Sequence, residues 1–306
     1  TGVIERHLSD TLCTSDLCYA AAEKLIAELQ WDKSEIGALV FVSQTADYIL
    51  PATSCILQDR LGLSKECYAT DCALGCSGWV YGLSQVMGLI CTGEIKKALL
   101  LVGDAKKRAE GPRDPLFGHA GTATALEYLE GAKDIQFHFG TDGSGYDAII
   151  TPDGGSRNQV SPASFEFEEY EGKMYNRMMT RMNGMDVFSF AISTAPKSVK
   201  RLAEHFGLDY QEADYFVFHQ ANMKINNMII KKLKLDESKV PSCMSHYGNT
   251  SSASIPLTIV TQLQGKLDKL TKFICCGFGV GLSWGTVAFD TENIVVPEVV
   301  LVDELV

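Results

Sequence analysis

The chain has 306 residues, 46% of them hydrophobic and 21% charged, enough for one large domain or two intimately packed halves around a real core. Its 38 acidic against 27 basic residues leave a net charge of -11, which repels nucleic acid and anionic membrane and leaves only local basic patches as anion sites. No apolar run approaches the roughly 18 to 20 residues of a spanning helix, so no membrane partner is expected.

Ten cysteines without regular spacing, and no secretory leader at the start, point to free thiols in a reducing, cytoplasmic compartment. In chain order, helical stretches are expected at 15–30 ("SDLCYAAAEKLIAELQ") and 184–206. Strand-like runs fall at 37–45 ("GALVFVSQT"), 97–104 ("KALLLVGD"), 213–220 ("ADYFVFHQ") and 272–279 ("KFICCGFG"). That alternation argues for α/β architecture with largely parallel sheets.

An internal echo sharpens the reading. "EIGALVFVSQT" matches "EADYFVFHQAN" in pattern, and about thirty residues after each comes a small-residue turn opening a helix, "LGCSGWVYGL" and then "YGNTSSASIPL". Each half later reaches an apolar strand ending in glycine, "LLLVG" and "FICCG". Two similar α/β halves are expected, spanning 1–150 and 185–306, joined by a polar, Gly/Pro-rich linker at 151–184 that caps the site.

In such sheets, sites form where strand ends and helix starts meet. Cys76, His219 and Asn249 occupy such places and are expected to converge. Behind Cys76, the apolar residues Trp79, Val80, Leu83, Val86, Met87 and Ile90 follow helical spacing, so Cys76 sits near a buried helix's N-terminus, where the dipole and free amides lower a thiol's pKa. Taken singly, each residue also has a plain explanation: a buried cysteine, a hydrogen-bonded histidine, a turn or N-cap asparagine.

The glycine-rich "CGFGVGLSWG" (276–285) lacks the dinucleotide fingerprint, because its glycines are spaced G-x-G-x-G and a strand-like "LSWGTVAF" follows. A tight turn between strands that offers backbone amides is expected instead. Cys72 and Cys76 are four apart and Cys275 and Cys276 adjacent, with no second pair to complete a zinc spacing, so neither a metal nor another cofactor is expected.

Together, "DCALGCSGWVYGL", "FVFHQANMKINNMIIKKL", "YGNTSSASIPL" and "GFGVGLSWG" resemble the beta-ketoacyl-acyl carrier protein synthase III family of thiolase-fold condensing enzymes. "TGVIERHLSD", "DYILPATSCILQDRLG" and "LFGHAGTATALE" are further landmarks in the expected order. The resemblance implies a layered αβαβα core of two pseudo-duplicated halves and a homodimer. It also implies Cys76 as nucleophile, His219 and Asn249 as its partners, and the backbone N–H groups of Cys76 and Val280 as the oxyanion hole.

The implied reaction moves an acyl group from acyl-CoA to Cys76 and joins it to malonyl-acyl carrier protein by decarboxylative Claisen condensation, priming fatty acid or related acyl-chain synthesis. Lys224, Leu50 and Phe278 are implied contacts for substrate, coenzyme A or carrier protein. Lys231, Lys232 and Lys234, with Lys197, Lys200 and Arg201, could complete a basic rim, although solvated helix faces would look the same.

Three departures stand out: Val280 replaces a usual glycine, and His119 a usual aspartate that makes a loop hydrogen bond. Leu50 stands where an aromatic often reaches into the partner subunit's acyl pocket, which implies a differently shaped pocket and a primer other than acetyl. Family members also begin with a central strand before the point matching "TGVIERHL", so a preceding segment is expected. The alternatives are a specialised condensing or acyl-transfer enzyme of secondary metabolism on the same three residues, or a catalytically silent partner subunit. The hydroxymethylglutaryl branch ranks below these, since no glutamate is marked in the corresponding motif.

Overall fold

A computed structural model describes residues 1–106 and 114–303; the last three residues of the expected second half, 304–306, lie outside them. The chain begins with α1 (Thr14–Leu29), β1 (Ile36–Val42), α2 (Thr53–Arg60), β2 (Tyr68–Cys72), α3 (Gly78–Ile90), β3 (Lys97–Asp104), β4 (Ala120–Glu127) and β5 (Gln136–Thr141). The intervening segment holds β6 (Ile149–Ile150), β7 (Glu168–Tyr170), β8 (Lys173–Tyr175) and β9 (Arg181–Met182). Then follow α4 (Gly184–Phe206), β10 (Tyr215–Phe218), α5 (Met223–Leu233), α6 (Met244–Tyr247), α7 (Ser254–Leu263), β11 (Thr271–Gly279) and β12 (Ser283–Thr291).

Two four-stranded sheets form, ordered β2-β1-β3-β4 and β10-β11-β12-β5. Within each, a parallel pair is followed by an antiparallel strand: β1 with β3 and then β4, β10 with β11 and then β12. The repeat read in the sequence is thus a repeat of topology. Strand neighbours on β3 point to opposite faces: Leu100 and Val102 join a core with α3, α7 and β11, while Leu99 and Leu101 meet α1 and α2. Cys275 and Cys276 divide in the same way, one toward the central helices and the other toward α4 and α5. The layers therefore run α1/α2, sheet, α3/α7, sheet, α4/α5. Strands buried on both faces read as unbroken apolar runs, which is why "ALLLV" shows no alternation.

The expected boundary at 150 differs from sheet membership. β5 lies before it, yet pairs with β12 of the second sheet from Ser283–Thr141 to Ala288–Gln136. A boundary drawn from composition misses this, because antiparallel edge pairing needs no local sequence signal. The expected linker has structure of its own: β7 pairs with β8 and β6 with β9, and Asp153 binds the Arg177 guanidinium at 2.8 Å and the Ser164 hydroxyl at 2.8 Å.

Helix α4 runs its full length through Pro196. Proline has no N–H for the carbonyl four residues back, and the Ile192 carbonyl instead accepts from Lys232 Nζ of α5 at 3.0 Å. The Asn183 carboxamide caps its start by accepting from the N–H groups of Met185 and Asp186, and Gly207 ends it in the left-handed conformation at φ 66°.

Candidate active site

Cys76 lies two residues before α3, in a turn closed by the Gly78 N–H donating to the Gly75 carbonyl at 2.7 Å. Gly279, the last residue of β11, packs against it so closely that a Cβ there would lie 2.6 Å from the Cys76 Cβ and 2.8 Å from its Sγ. The residue keeps partial contact with solvent, but this approach encloses the sulfur itself.

Burial pushes the thiol up to about 11, and the Asp104 charge adds to the rise. Hydrogen bonds from the Val280 N–H, the Ser251 hydroxyl and the Cys76 N–H oppose it. The expectation of a thiolate favoured by the helix terminus is therefore corrected: the resting sulfur is a thiol, because desolvation outweighs the dipole and the donors.

The turn carrying Val280 is held from both sides. Its carbonyl accepts from the Ser283 hydroxyl at 2.8 Å, Ser283 meets the Ser77 hydroxyl at 2.8 Å, and Leu282 exchanges two backbone hydrogen bonds with Asp142. Replacing glycine by Val280 leaves the amide in position, since only its backbone is used.

His219 follows β10 and is 2% exposed. Its Nδ1 lies 2.7 Å from the Ser254 hydroxyl, and its ring also donates to the Ser251 carbonyl. Burial pushes the imidazole down to about 3, so it is neutral at physiological pH. The Ser254 contact at Nδ1 fixes the orientation of the ring. Phe278 is 2% exposed and meets the His219 ring edge-on at 5.6 Å between centroids. Alternation along β11 turns its ring into the α4/α5 core, where it braces the imidazole.

Asn249 is 5% exposed. Its Oδ1 accepts from the Ser251 N–H at 2.9 Å, and its Nδ2 donates to the Ala221 carbonyl at 3.3 Å, just beyond His219. Ser251 thus touches all three residues, through its hydroxyl at Cys76, its carbonyl at His219 and its N–H at Asn249. Three chain regions meet around one serine that the sequence did not single out. Its signal was the hydroxyl-rich "NTSSAS", which reads equally well as a loop.

The other expected contacts lie at the surface. Lys224 is exposed on α5, its Nζ 5.3 Å from the Phe188 ring centroid. Lys231 is exposed on α5 and Lys234 just past its end, and Lys197, Lys200 and Arg201 are exposed on α4, whereas Lys232 is engaged with Ile192. Leu50 is 83% exposed at an apolar loop tip with Tyr48 and Ile49. His119 Nδ1 accepts from the Ser9 N–H at 3.1 Å, so a loop hydrogen bond survives the loss of aspartate. Among the described residues no group of three or more His, Cys, Asp or Glu could hold a metal, and no helix is long and apolar enough to cross a membrane.

Two repeated α/β halves that bring a cysteine, a histidine and an asparagine together at one sheet-end junction define a thiolase-fold, acyl-transferring condensing enzyme. The comparisons with known proteins are specific. The profile of the 3-oxoacyl-[acyl-carrier-protein] synthase III family matches residues 70–143, and that of its C-terminal part residues 203–291. The beta-ketoacyl-[acyl-carrier-protein] synthase III of Clostridioides difficile (strain 630) is 33% identical over 291 residues, covering 93% of this chain and 86% of its own.

Among solved structures, the 3-oxoacyl-(acyl-carrier protein) synthase of Burkholderia xenovorans LB400 superposes with a TM-score of 0.89 at 40% identity. It covers 96% of this chain and 85% of its own. A 3-oxoacyl-(acyl-carrier-protein) synthase III solved at 2.1 Å gives 0.90 at 36% identity, covering 94% and 88%. The chain belongs to the 3-oxoacyl-[acyl-carrier-protein] synthase III family and is a condensing enzyme of fatty acid synthesis.

Proposed function

We propose that Cys76 takes an acyl group from acyl-CoA and passes it to malonyl-acyl carrier protein by decarboxylative condensation. The observation that carries this reading is the pair of backbone N–H groups, of Cys76 and Val280, aimed at the sulfur from a turn tied to the helix start. The sulfur attacks the thioester carbonyl, those amides hold the tetrahedral oxyanion, and coenzyme A leaves with the thiol proton.

Malonyl-acyl carrier protein then loses carbon dioxide, and negative charge gathers on its thioester oxygen. The neutral His219, through Nε2–H, and the Asn249 carboxamide donate hydrogen bonds there. The enolate carbon bonds to the acyl carbonyl, the Cys76 thiolate departs, and a 3-oxoacyl product results. A carboxamide cannot serve as a base, so Asn249 acts as a donor only.

An exposed basic surface on α4 and α5, with Lys224 foremost, suits the anionic phosphates of coenzyme A and the acidic carrier protein. The apolar tip at Tyr48, Ile49 and Leu50 suits burial against a second copy, giving a homodimer in which Leu50 reaches the partner's acyl pocket. The enzyme works in the cytoplasm.

Intact mass spectrometry after incubation with a panel of acyl-CoA thioesters tests the first step; absence of any acyl adduct on Cys76 sinks the proposal. Asn249→Ala is expected to keep acylation while condensation falls by about 100-fold. Equal loss of both steps would count against that division of roles.

A further inference from the structure

Asp104 ends β3 and is 8% exposed. Its Oδ1 accepts from the Gln44 N–H at 2.8 Å, the Ser43 hydroxyl at 3.1 Å and the Thr45 hydroxyl at 3.3 Å, all in the chain leaving β1. Its Oδ2 accepts from the Ser252 hydroxyl at 3.1 Å and N–H at 3.4 Å, across the junction between the halves. Both oxygens thus accept a backbone N–H, the arrangement of a carboxylate and not of a carboxylic acid. Burial raises its pKa, and hydrogen bonds from Ser251, Gln44, Ser43 and Ser252 offset only part of that rise.

The Ser251 hydroxyl is directed at this carboxylate and at the Cys76 sulfur. Ser251 is held in the left-handed region, at φ 52°, which a serine keeps only when its surroundings fix it. The Asp104 grip on the next residue, Ser252, supplies that fixation from the other half of the molecule. Neither the acylation nor the condensation step described above uses Asp104, yet it is the buried charge that acts on the nucleophile.

We propose that Asp104 is a positioning residue for Cys76: through its grip on Ser252 it anchors the Ser251 turn that touches all three side chains, and it sets a buried carboxylate behind the sulfur. This rests on Cys76 being the nucleophile. In the thiol form the sulfur resists alkylation and oxidation until a thioester fills the pocket.

The other titratable groups packed round this pair do not compete. Cys18 on α1 faces Asp104 and Asp47 and is held as a thiol by burial, and His219, beyond the Ser251 carbonyl, is neutral.

The test is the pH dependence of Cys76 alkylation by iodoacetamide, followed by peptide mass spectrometry so that the other nine cysteines do not obscure it. Asp104→Asn is expected to lower the half-maximal pH by about one unit, with alkylation near neutral pH rising about tenfold. Ser251→Ala keeps the charge but removes a donor to the sulfur, and is expected to raise the half-maximal pH. An unchanged or raised midpoint in folded Asp104→Asn overturns the proposal. If that variant fails to fold, an unchanged or lowered midpoint in Ser251→Ala overturns it instead. A wild-type protein that takes no acyl group at Cys76 while these midpoints move as expected would refute the proposed function and leave the charge coupling standing.

Discussion

Replacing Gly279 by alanine tests whether the site depends on β11 pressing against Cys76. An alanine Cβ would stand 2.6 Å from the Cys76 Cβ, where ordinary contact begins near 3.4 Å. The strand or the helix start must therefore recede by about 0.8 Å, the difference between those two distances. The strand is hydrogen-bonded through the Gly279–Ser283 register, and Cys76 Cβ is fixed to the backbone, so neither yields by rotating a side chain. Overpacking of this kind costs about 1 to 3 kcal/mol of stability, and a displacement near 1 Å at the reacting atoms costs about 100-fold in rate.

The assay is single-turnover acylation of Cys76 by acyl-CoA beside thermal unfolding. Gly285→Ala is the control, since its Cβ would crowd Val80 Cγ1 at 2.9 Å and the Phe139 ring at 3.2 Å, away from the sulfur. That variant should lose stability while folded protein acylates normally. Acylation of Gly279→Ala at the wild-type rate would refute the reasoning.

Acid sensitivity should trace in part to His219, whose folded-state pKa of about 3 lies below the ordinary 6.5. Between those values the unfolded chain binds a proton that the folded chain refuses. Stability from this residue is therefore full above the unfolded pKa and falls by about 1.4 kcal/mol per pH unit on acidification. Urea unfolding near pH 7 and pH 5 should show His219→Gln escaping about 2 kcal/mol of the wild-type loss; an identical loss in both proteins would refute the assignment. Ser254→Ala removes the partner of Nδ1 and frees the ring to carry its proton on either nitrogen, so condensation should drop about five- to tenfold. Acylation of Cys76 should be spared in that variant, and a matched fall in both half-reactions would show that Ser254 acts on the fold and not on the imidazole.

Much of the architecture was written in local chemistry. The spans 97–104 and 184–206 coincide with β3 and α4, because an apolar strand buried on both faces and a long amphipathic helix each leave a pattern in their own residues. Helix α4 was readable even with Pro196 inside it, while the lysine that satisfies the freed Ile192 carbonyl was not, since it comes from another helix. The edge strand β2 left little trace, being short, polar and only partly buried.

The cysteine, histidine and asparagine that the fold gathers, and the turns that present them, were legible in the same way. The sulfur's protonation state was not. A helix start argued for an acidic thiol, but the sulfur also lies under Gly279 and near Asp104, contacts made across 203 and 28 residues of sequence respectively. Desolvation and charge act through space, so they follow from packing and not from chain order. The chain by itself determined which elements form and which side chains are chemically able to react. Only the closed tertiary structure decided that Ser251 joins those side chains, that Phe278 turns inward to His219, and that a buried carboxylate stands beside Cys76.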